Sequence, residues 1–101
     1  MPVPTFVVIF NLAPSPTRNR RERTLHDRLT PGTWWAETGS AIVVSDETPI
    51  DDFCDRLLAQ DVFDPAADMA VVFDLDSGEA RARGSFVDFG LFHLAPWIEK
   101  I

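Results

Sequence analysis

The strand-like segments of this chain carry apolar residues on both of their faces, and this feature most constrains the fold. The first segment, Thr5–Leu12, has apolar side chains at both odd and even positions, namely Phe6, Val7, Val8, Ile9 and Phe10. The segments Ser40–Ser45 and Met69–Asp76 show the same pattern. An antiparallel sheet with one wet face alternates apolar and polar residues. A sheet built from these segments therefore needs a cover on both sides.

Capping and turn residues divide the chain into elements. Two segments have a helical pattern, Thr17–Leu29 and a second stretch that ends at Gln60. For the second, Thr48 is the expected N-cap and Pro49 the first helical residue. Its buried stripe follows the spacing i, i+3, i+4, i+7, i+8 and consists of Ile50, Phe53, Cys54, Leu57 and Leu58. The expected strands are Thr5–Leu12, Thr33–Glu37, Ser40–Ser45, Met69–Asp76 and a short Glu79–Gly84, with a hairpin turn at Thr38-Gly39.

The order strand, helix, strand, strand, helix, strand predicts an α+β, ferredoxin-like β-α-β-β-α-β sandwich. In that fold an antiparallel sheet has the spatial strand order 4-1-3-2, and both helices lie on one face. Residues 1–84 are the expected ferredoxin-like domain, and residues 85–101 are an aromatic C-terminal extension that ends in a short helix near Ala95–Ile101.

Two helices cover only one face of such a sheet, so the other face needs a second cover. Either the C-terminal extension packs there, or a second copy of the chain docks there, or both. We expect a two-fold homodimer; whether the extension covers its own sheet or its partner's stays open. The expected interface residues are Phe6, Val8, Phe10, Trp35, Phe86, Phe89 and Phe92.

Charge is unevenly distributed along the chain. Residues 1–36 hold five Arg and two acidic residues, whereas the remainder holds four basic and fourteen acidic residues, for a total of −7. This balance argues against a general nucleic-acid coat, which needs clustered cations. A local basic patch still fits an anion or a nucleic acid, and a solvated helix face is the alternative. The candidate residues are Arg18, Arg20, Arg21, Arg23, Arg81 and Arg83.

The sequence offers little for metal or nucleophilic chemistry. Cys54 is the single cysteine and lies on an apolar stripe, so it is expected in the core. His26 and His93 lack ligand spacing, and no cofactor is expected. Three acids at strand ends are weak cation candidates or solvated carboxylates: Asp46, Asp74 and Asp76. Three more begin the second helix, where they suit its N-terminus: Asp51, Asp52 and Asp55.

Nothing in the sequence suggests a membrane segment or a secreted protein. No apolar run approaches the roughly 20 residues of a membrane span. The N-terminus lacks the pattern of a signal peptide. We therefore expect a cytoplasmic protein.

Several short stretches resemble a known group. They are Val8-Ile9-Phe10-Asn11-Leu12, Gly32-Thr33-Trp34-Trp35, Ala82-Arg83-Gly84-Ser85-Phe86 and Trp97-Ile98-Glu99-Lys100. Together they resemble small bacterial proteins labelled SinR-like, which are similar to the second CRISPR-associated protein, the small dimeric subunit of the spacer-acquisition complex. The resemblance implies a ferredoxin-like fold and a homodimer, and no settled activity. In the CRISPR subunits an Asp after an aromatic residue ends the first strand and is assigned to metal-dependent nuclease chemistry. Asn11 stands at that position here, and a neutral amide is a poor ligand for a hard cation.

Three functions remain open from the sequence. The first, which we favour, is a non-enzymatic dimer that acts by association with a protein or a nucleic acid. The second is a metal-dependent ribonuclease resembling the CRISPR-associated subunit. The third is a small-molecule or stress-linked role.

Overall fold

The computed structural model describes residues 4–29, 33–35 and 40–101 and has two layers of secondary structure plus a C-terminal cover. The helices are α1 (Arg18–Asp27), α2 (Ile50–Leu57) and α3 (Gly90–Leu94). The strands are β1 (Thr5–Asn11), β2 (Thr33–Trp35), β3 (Ala41–Ser45), β4 (Met69–Asp74), β5 (Ala80–Gly84) and β6 (Glu99–Lys100). The predicted α+β class is confirmed. Within the described residues, no helix is long and apolar enough to span a bilayer.

The six strands form one sheet in the order β2-β3-β1-β4-β5-β6. Every neighbouring pair is antiparallel except β5 and β6, which run parallel. The long strands β3 and β4 therefore flank β1, and their registers bring Ile42 and Val72 to either side of Val8. The predicted turn at Thr38-Gly39 lies outside the described residues.

Helices α1 and α2 cover one face of the sheet. This helix-covered face carries Phe6, Val8 and Phe10, all fully buried. The ring of Phe6 stacks on Phe53 of α2 at 4.5 Å between centroids. The helices add further core residues: Leu25 of α1, Leu29 just after it, and Ile50, Cys54 and Leu57 of α2.

This burial corrects the predicted dimer interface. Phe6, Val8 and Phe10 face the chain's own helices, so no partner reaches them. Because β1 is apolar at every position from 6 to 10, the sequence pattern does not show which of its two faces the helices cover. Trp35 belongs to β2, and its side chain lies outside the description.

The opposite face of the sheet, here called the second face, is covered over β4 and β5 by residues 85–101. Val71 of β4 and Ala82 of β5 are buried there against Ala95 and Ile98. Three further side chains of this C-terminal segment are partly buried on the same cluster: Phe86, Leu91 and Phe92. The segment thus packs on its own sheet.

The end of the chain differs from the predicted helix at 95–101. A single short helix, α3, ends at Leu94, and Glu99–Lys100 pair with β5 as β6 instead. Pro96 has no N–H to donate to a helix, whereas the Ile101 N–H donates to the Ala82 carbonyl at 2.8 Å. Sheet pairing therefore replaces helix formation there.

The start of α2 is shifted by one residue from its prediction. Pro49 precedes the first helical residue, Ile50, and the helix has no side-chain cap. The Thr48 hydroxyl donates to Asp46 Oδ1 at 2.6 Å instead. Asp46 thus engages the hydroxyl that was expected to cap the helix.

Candidate functional site

Part of the second face is left without a complete cover. The C-terminal segment packs on β4 and β5, and beside it the apolar side chains of β1 and β3 reach solvent. Ile9 is 42% exposed, and Val7 and Val43, which are directly paired across the two strands, are half-buried. Leu75, just after β4, is also exposed. We call Val7, Ile9, Val43 and Leu75 the apolar strip.

The outer side of the C-terminal segment is apolar as well. Leu94 is 83% exposed and Trp97 is 60% exposed, and Phe89 lies more than half in solvent. We call Phe89, Leu94 and Trp97 the C-terminal ridge. Of the predicted interface residues in this segment, Phe86 and Phe92 pack partly on the chain's own sheet, while Phe89 is more exposed and contacts Phe92 and Lys100.

Exposed large apolar side chains are concentrated in two parts of the described chain. Among the described residues, every large hydrophobic side chain with strong exposure belongs either to the apolar strip or to the C-terminal segment: Ile9, Leu75, Val87, Phe89, Leu94, Trp97 and Ile101. Among the described residues, neither α1 nor α2 carries a strongly exposed large hydrophobic side chain. Large contiguous apolar patches on protein surfaces are a feature of interaction sites.

Most arginines of the predicted basic patch form ion pairs with acids of the same chain. Four of its six arginines form ion pairs, at N–O distances of 3.2, 2.6, 2.8 and 3.1 Å for Arg18–Glu22, Arg21–Asp68, Arg81–Asp51 and Arg83–Asp55. Arg20 and Arg23 of α1 are exposed, and neither has an ion pair within residues 4–29, 33–35 and 40–101. Four of the six arginines are therefore engaged by acids of the same chain, and the anion-binding role of the patch stays a prediction.

Acids at the start of α2 pair with the arginines of β5. Asp51 and Asp55 lie one helical turn apart and accept hydrogen bonds from Arg81 and Arg83, which lie two residues apart on one side of β5. The hydrogen bond with Asp51 raises the pKa of Arg81 above its ordinary value, against the opposing effect of burial. These ion pairs join α2 to the sheet. Asp51 and Asp55 thus have a role beyond the predicted interaction with the helix N-terminus.

A buried ion pair joins Arg21 to Asp68. The sequence did not predict this pair. The fully buried Asp68 carboxylate accepts the N–H groups of Ala13 and Asp64 besides the Arg21 guanidinium. Burial alone raises the pKa of Asp68, but the backbone donors and Arg21 outweigh it and hold that pKa below its usual range. Arg21 also donates to the carbonyls of Val62 and Ala13. The pair borders a cleft of about 350 Å³.

The weak cation candidates are occupied by protein donors. Asp46 Oδ2 accepts from Arg56 at 2.5 Å. Asp74 Oδ1 accepts the Asp76 and Ser77 N–H groups, and Asp76 Oδ2 accepts the Thr5 N–H. Over the described part of the chain, no three potential ligands gather in a way that would hold a metal ion.

Asn11, which the predicted resemblance aligns with the acid of the CRISPR-associated subunits, lies away from the candidate acids. It pairs with Met69 at the start of β4, whereas Asp74 pairs with Phe6 at the other end of the same ladder. Cys54 is fully buried, as predicted, and burial raises its pKa to about 12. A thiol with that pKa stays protonated and unreactive.

Comparisons of the chain with family models, with curated proteins and with solved structures found no match. The resemblance to SinR-like proteins and to the CRISPR-associated subunit stays a prediction.

Proposed function

We propose that this chain acts by association rather than catalysis, as one subunit of a two-fold homodimer formed through its second face. The observation that carries the proposal is the confinement of exposed apolar side chains to the apolar strip and the C-terminal segment. A second copy brings the same surface, so a two-fold pairing covers both patches at once.

The size of this surface suits a stable dimer. The molecule measures 42 × 33 × 23 Å along its principal axes. Half of its broad side is therefore roughly 700 Å², close to the 800 Å² or so that each partner contributes to a standard interface. With about 65% of that area apolar, as in homodimer interfaces, burial at about 25 cal/mol/Å² contributes on the order of 10 kcal/mol per chain before the costs of association.

The proposed fold is ferredoxin-like, with two strands added beside β4. Support comes from the neighbour pairs β4–β1, β1–β3 and β3–β2, and from the contribution of both α1 and α2 to the core on one face. The aromatic C-terminal segment is then an extension of this core domain.

The charged groups favour association over ribonuclease chemistry. The carboxylates of Asp46, Asp74 and Asp76 already accept hydrogen bonds from an arginine or from backbone N–H groups. A nucleic-acid contact would depend on Arg20 and Arg23, since the other four candidate arginines are paired. Binding of that kind falls steeply with salt.

The test is the molar mass of an Ile9→Glu variant by size-exclusion chromatography with light scattering. Dimerisation would remove water from a carboxylate in the centre of the apolar strip, which costs free energy. The variant should therefore have the molar mass of one chain, whereas the unaltered chain should have the mass of a dimer. Asn19→Glu adds the same charge at an exposed position of α1 and should leave the dimer intact. If both variants have the mass of the unaltered chain, the apolar strip is not the interface.

A further inference from the structure

We infer that the partner's C-terminal ridge is what covers the apolar strip: in the dimer each copy inserts its ridge into the strip of the other. This inference rests on the proposed homodimer and names the contacts within it. Its basis is that the segment bearing the ridge packs on Val71 of β4, which is paired with Ile9 of the strip, so that both surfaces belong to the second face.

The two surfaces differ in height because the cover is partial. The C-terminal segment adds one layer over β4 and β5, and packed layers are about 10 Å apart. Over β1 and β3 that layer is missing, and Ile9 is the most exposed strand residue of the strip. Two copies that met segment against segment would leave both strips empty. A pairing that sets ridge against strip fills both.

One symmetry axis produces this arrangement. A two-fold axis that runs parallel to the strands, above the second face and over the boundary between β1 and β4, sets the covered half of each copy against the uncovered half of the other. The partner's segment then lies over β1 and β3, and the contact is isologous, as a closed dimer requires. β1 and β4 are direct neighbours, with Ile9 paired to Val71, so the boundary between the halves lies near the middle of the sheet.

The side chains on the two surfaces are chemically matched. The positions of β1 and β3 on the second face hold no charged residue: they are Thr5, Val7, Ile9, Asn11, Ala41, Val43 and Ser45. The ridge offers Leu94 and Trp97, the latter being the residue type most enriched at energetically dominant interface positions. An uncharged strip and an aromatic anchor form the apolar centre that stable interfaces have.

Cysteine cross-linking between two differently tagged chains tests the contact. Both chains carry Cys54→Ala; one carries Ile9→Cys and the other Leu94→Cys, and the mixture is oxidised after subunit exchange. A disulfide that joins the two tags can form only between copies. We expect this mixed product to exceed, by tenfold or more, the product from a control mixture in which Val87→Cys replaces Leu94→Cys. Val87 is fully exposed on the same segment but outside the ridge.

A Trp97→Ala variant provides a second readout that needs no cysteine. Loss of the anchor should raise the dissociation constant of the dimer at least tenfold. If the protein is still dimeric but the Ile9→Cys and Leu94→Cys mixture gives no more mixed product than the Val87→Cys control, the ridge-to-strip contact is overturned. The proposed dimer is then unaffected. A protein that sediments as a single chain at every concentration would overturn both.

Discussion

At the Asp68 carboxylate, hydrogen bonds converge from three separate segments of the chain. Ala13 belongs to the β1–α1 connection, Arg21 to α1, and Asp64 to the loop before β4. Three hydrogen bonds compensate the burial of this carboxylate. Removing it leaves two N–H groups and the buried part of a guanidinium without this acceptor. Asp68 therefore has a structural role that its position in a polar loop does not reveal.

Asp68→Ala should destabilise the protein by about 3 kcal/mol in urea unfolding, because the buried ion pair loses one partner. Asp61→Ala is the matched control, since Asp61 also pairs with an arginine, Arg28, but at the exposed surface. Exposed pairs contribute little, so this variant should unfold close to the unaltered chain. Equal losses for the two variants would contradict the role given to Asp68.

Acid should destabilise the protein through Asp46 and Asp68. Burial raises the pKa of each, yet hydrogen bonds and an arginine outweigh it, so both pKa values lie below the ordinary value. A carboxyl with a depressed folded-state pKa contributes stability above its unfolded value of about 3.9, and this contribution is lost as the pH falls through the folded value. Unfolding free energies measured from pH 7 down to pH 2.5 should drop below about pH 4. The fall should be smaller for Asp46→Asn combined with Asp68→Asn, and an equal fall would assign it to other groups.

At the scale of elements, Gly84 joins β5 to the C-terminal segment by a close backbone approach. Its φ is +111°, and an added Cβ would lie 2.0 Å from the Asp68 carbonyl oxygen and 2.8 Å from the Phe63 ring. The next residue, Ser85, donates its N–H to that same carbonyl. The chain can pass at this distance only without a side chain.

Gly84→Ala should therefore cost about 3 kcal/mol or more, since it combines strain at positive φ with a backbone clash. Gly78→Ala is the control: Gly78 also has positive φ, +80°, but opens on empty space. Its cost should be close to the strain alone, about 1 kcal/mol. The melting temperatures of the two variants measure the difference in cost. Equal decreases would mean that a Cβ at position 84 meets no clash with the Asp68 backbone.

Elements with one clear pattern were predictable from the sequence. The stripe of α2, from Ile50 to Leu57, is buried as expected because its polar residues leave only one side for the core. The C-terminal elements were not predictable, because β6 depends on an edge of β5 that exists only in the folded sheet. The same is true of the arginines: Arg81 and Arg83 meet acids 30 and 28 positions away, and sequence shows their charge without their partners.

At the scale of the whole molecule, the two faces of the sheet are covered by different means. The helix layer buries the apolar side chains that β1, β3 and β4 carry on one face, whereas the C-terminal segment covers only β4 and β5 on the other. The two-sided apolar pattern predicted that a second cover was needed. It could not assign Phe6 or Ile9 to a face, because both sides of β1 are equally apolar.

Sedimentation equilibrium of the unaltered chain at micromolar concentrations tests most directly whether a second copy completes the cover. The chain has a mass of 11.3 kDa, and the homodimer predicts twice that value, with dissociation only on strong dilution. A mass that stays at one chain throughout the concentration range would leave Ile9, Leu94 and Trp97 in water and contradict the central claim.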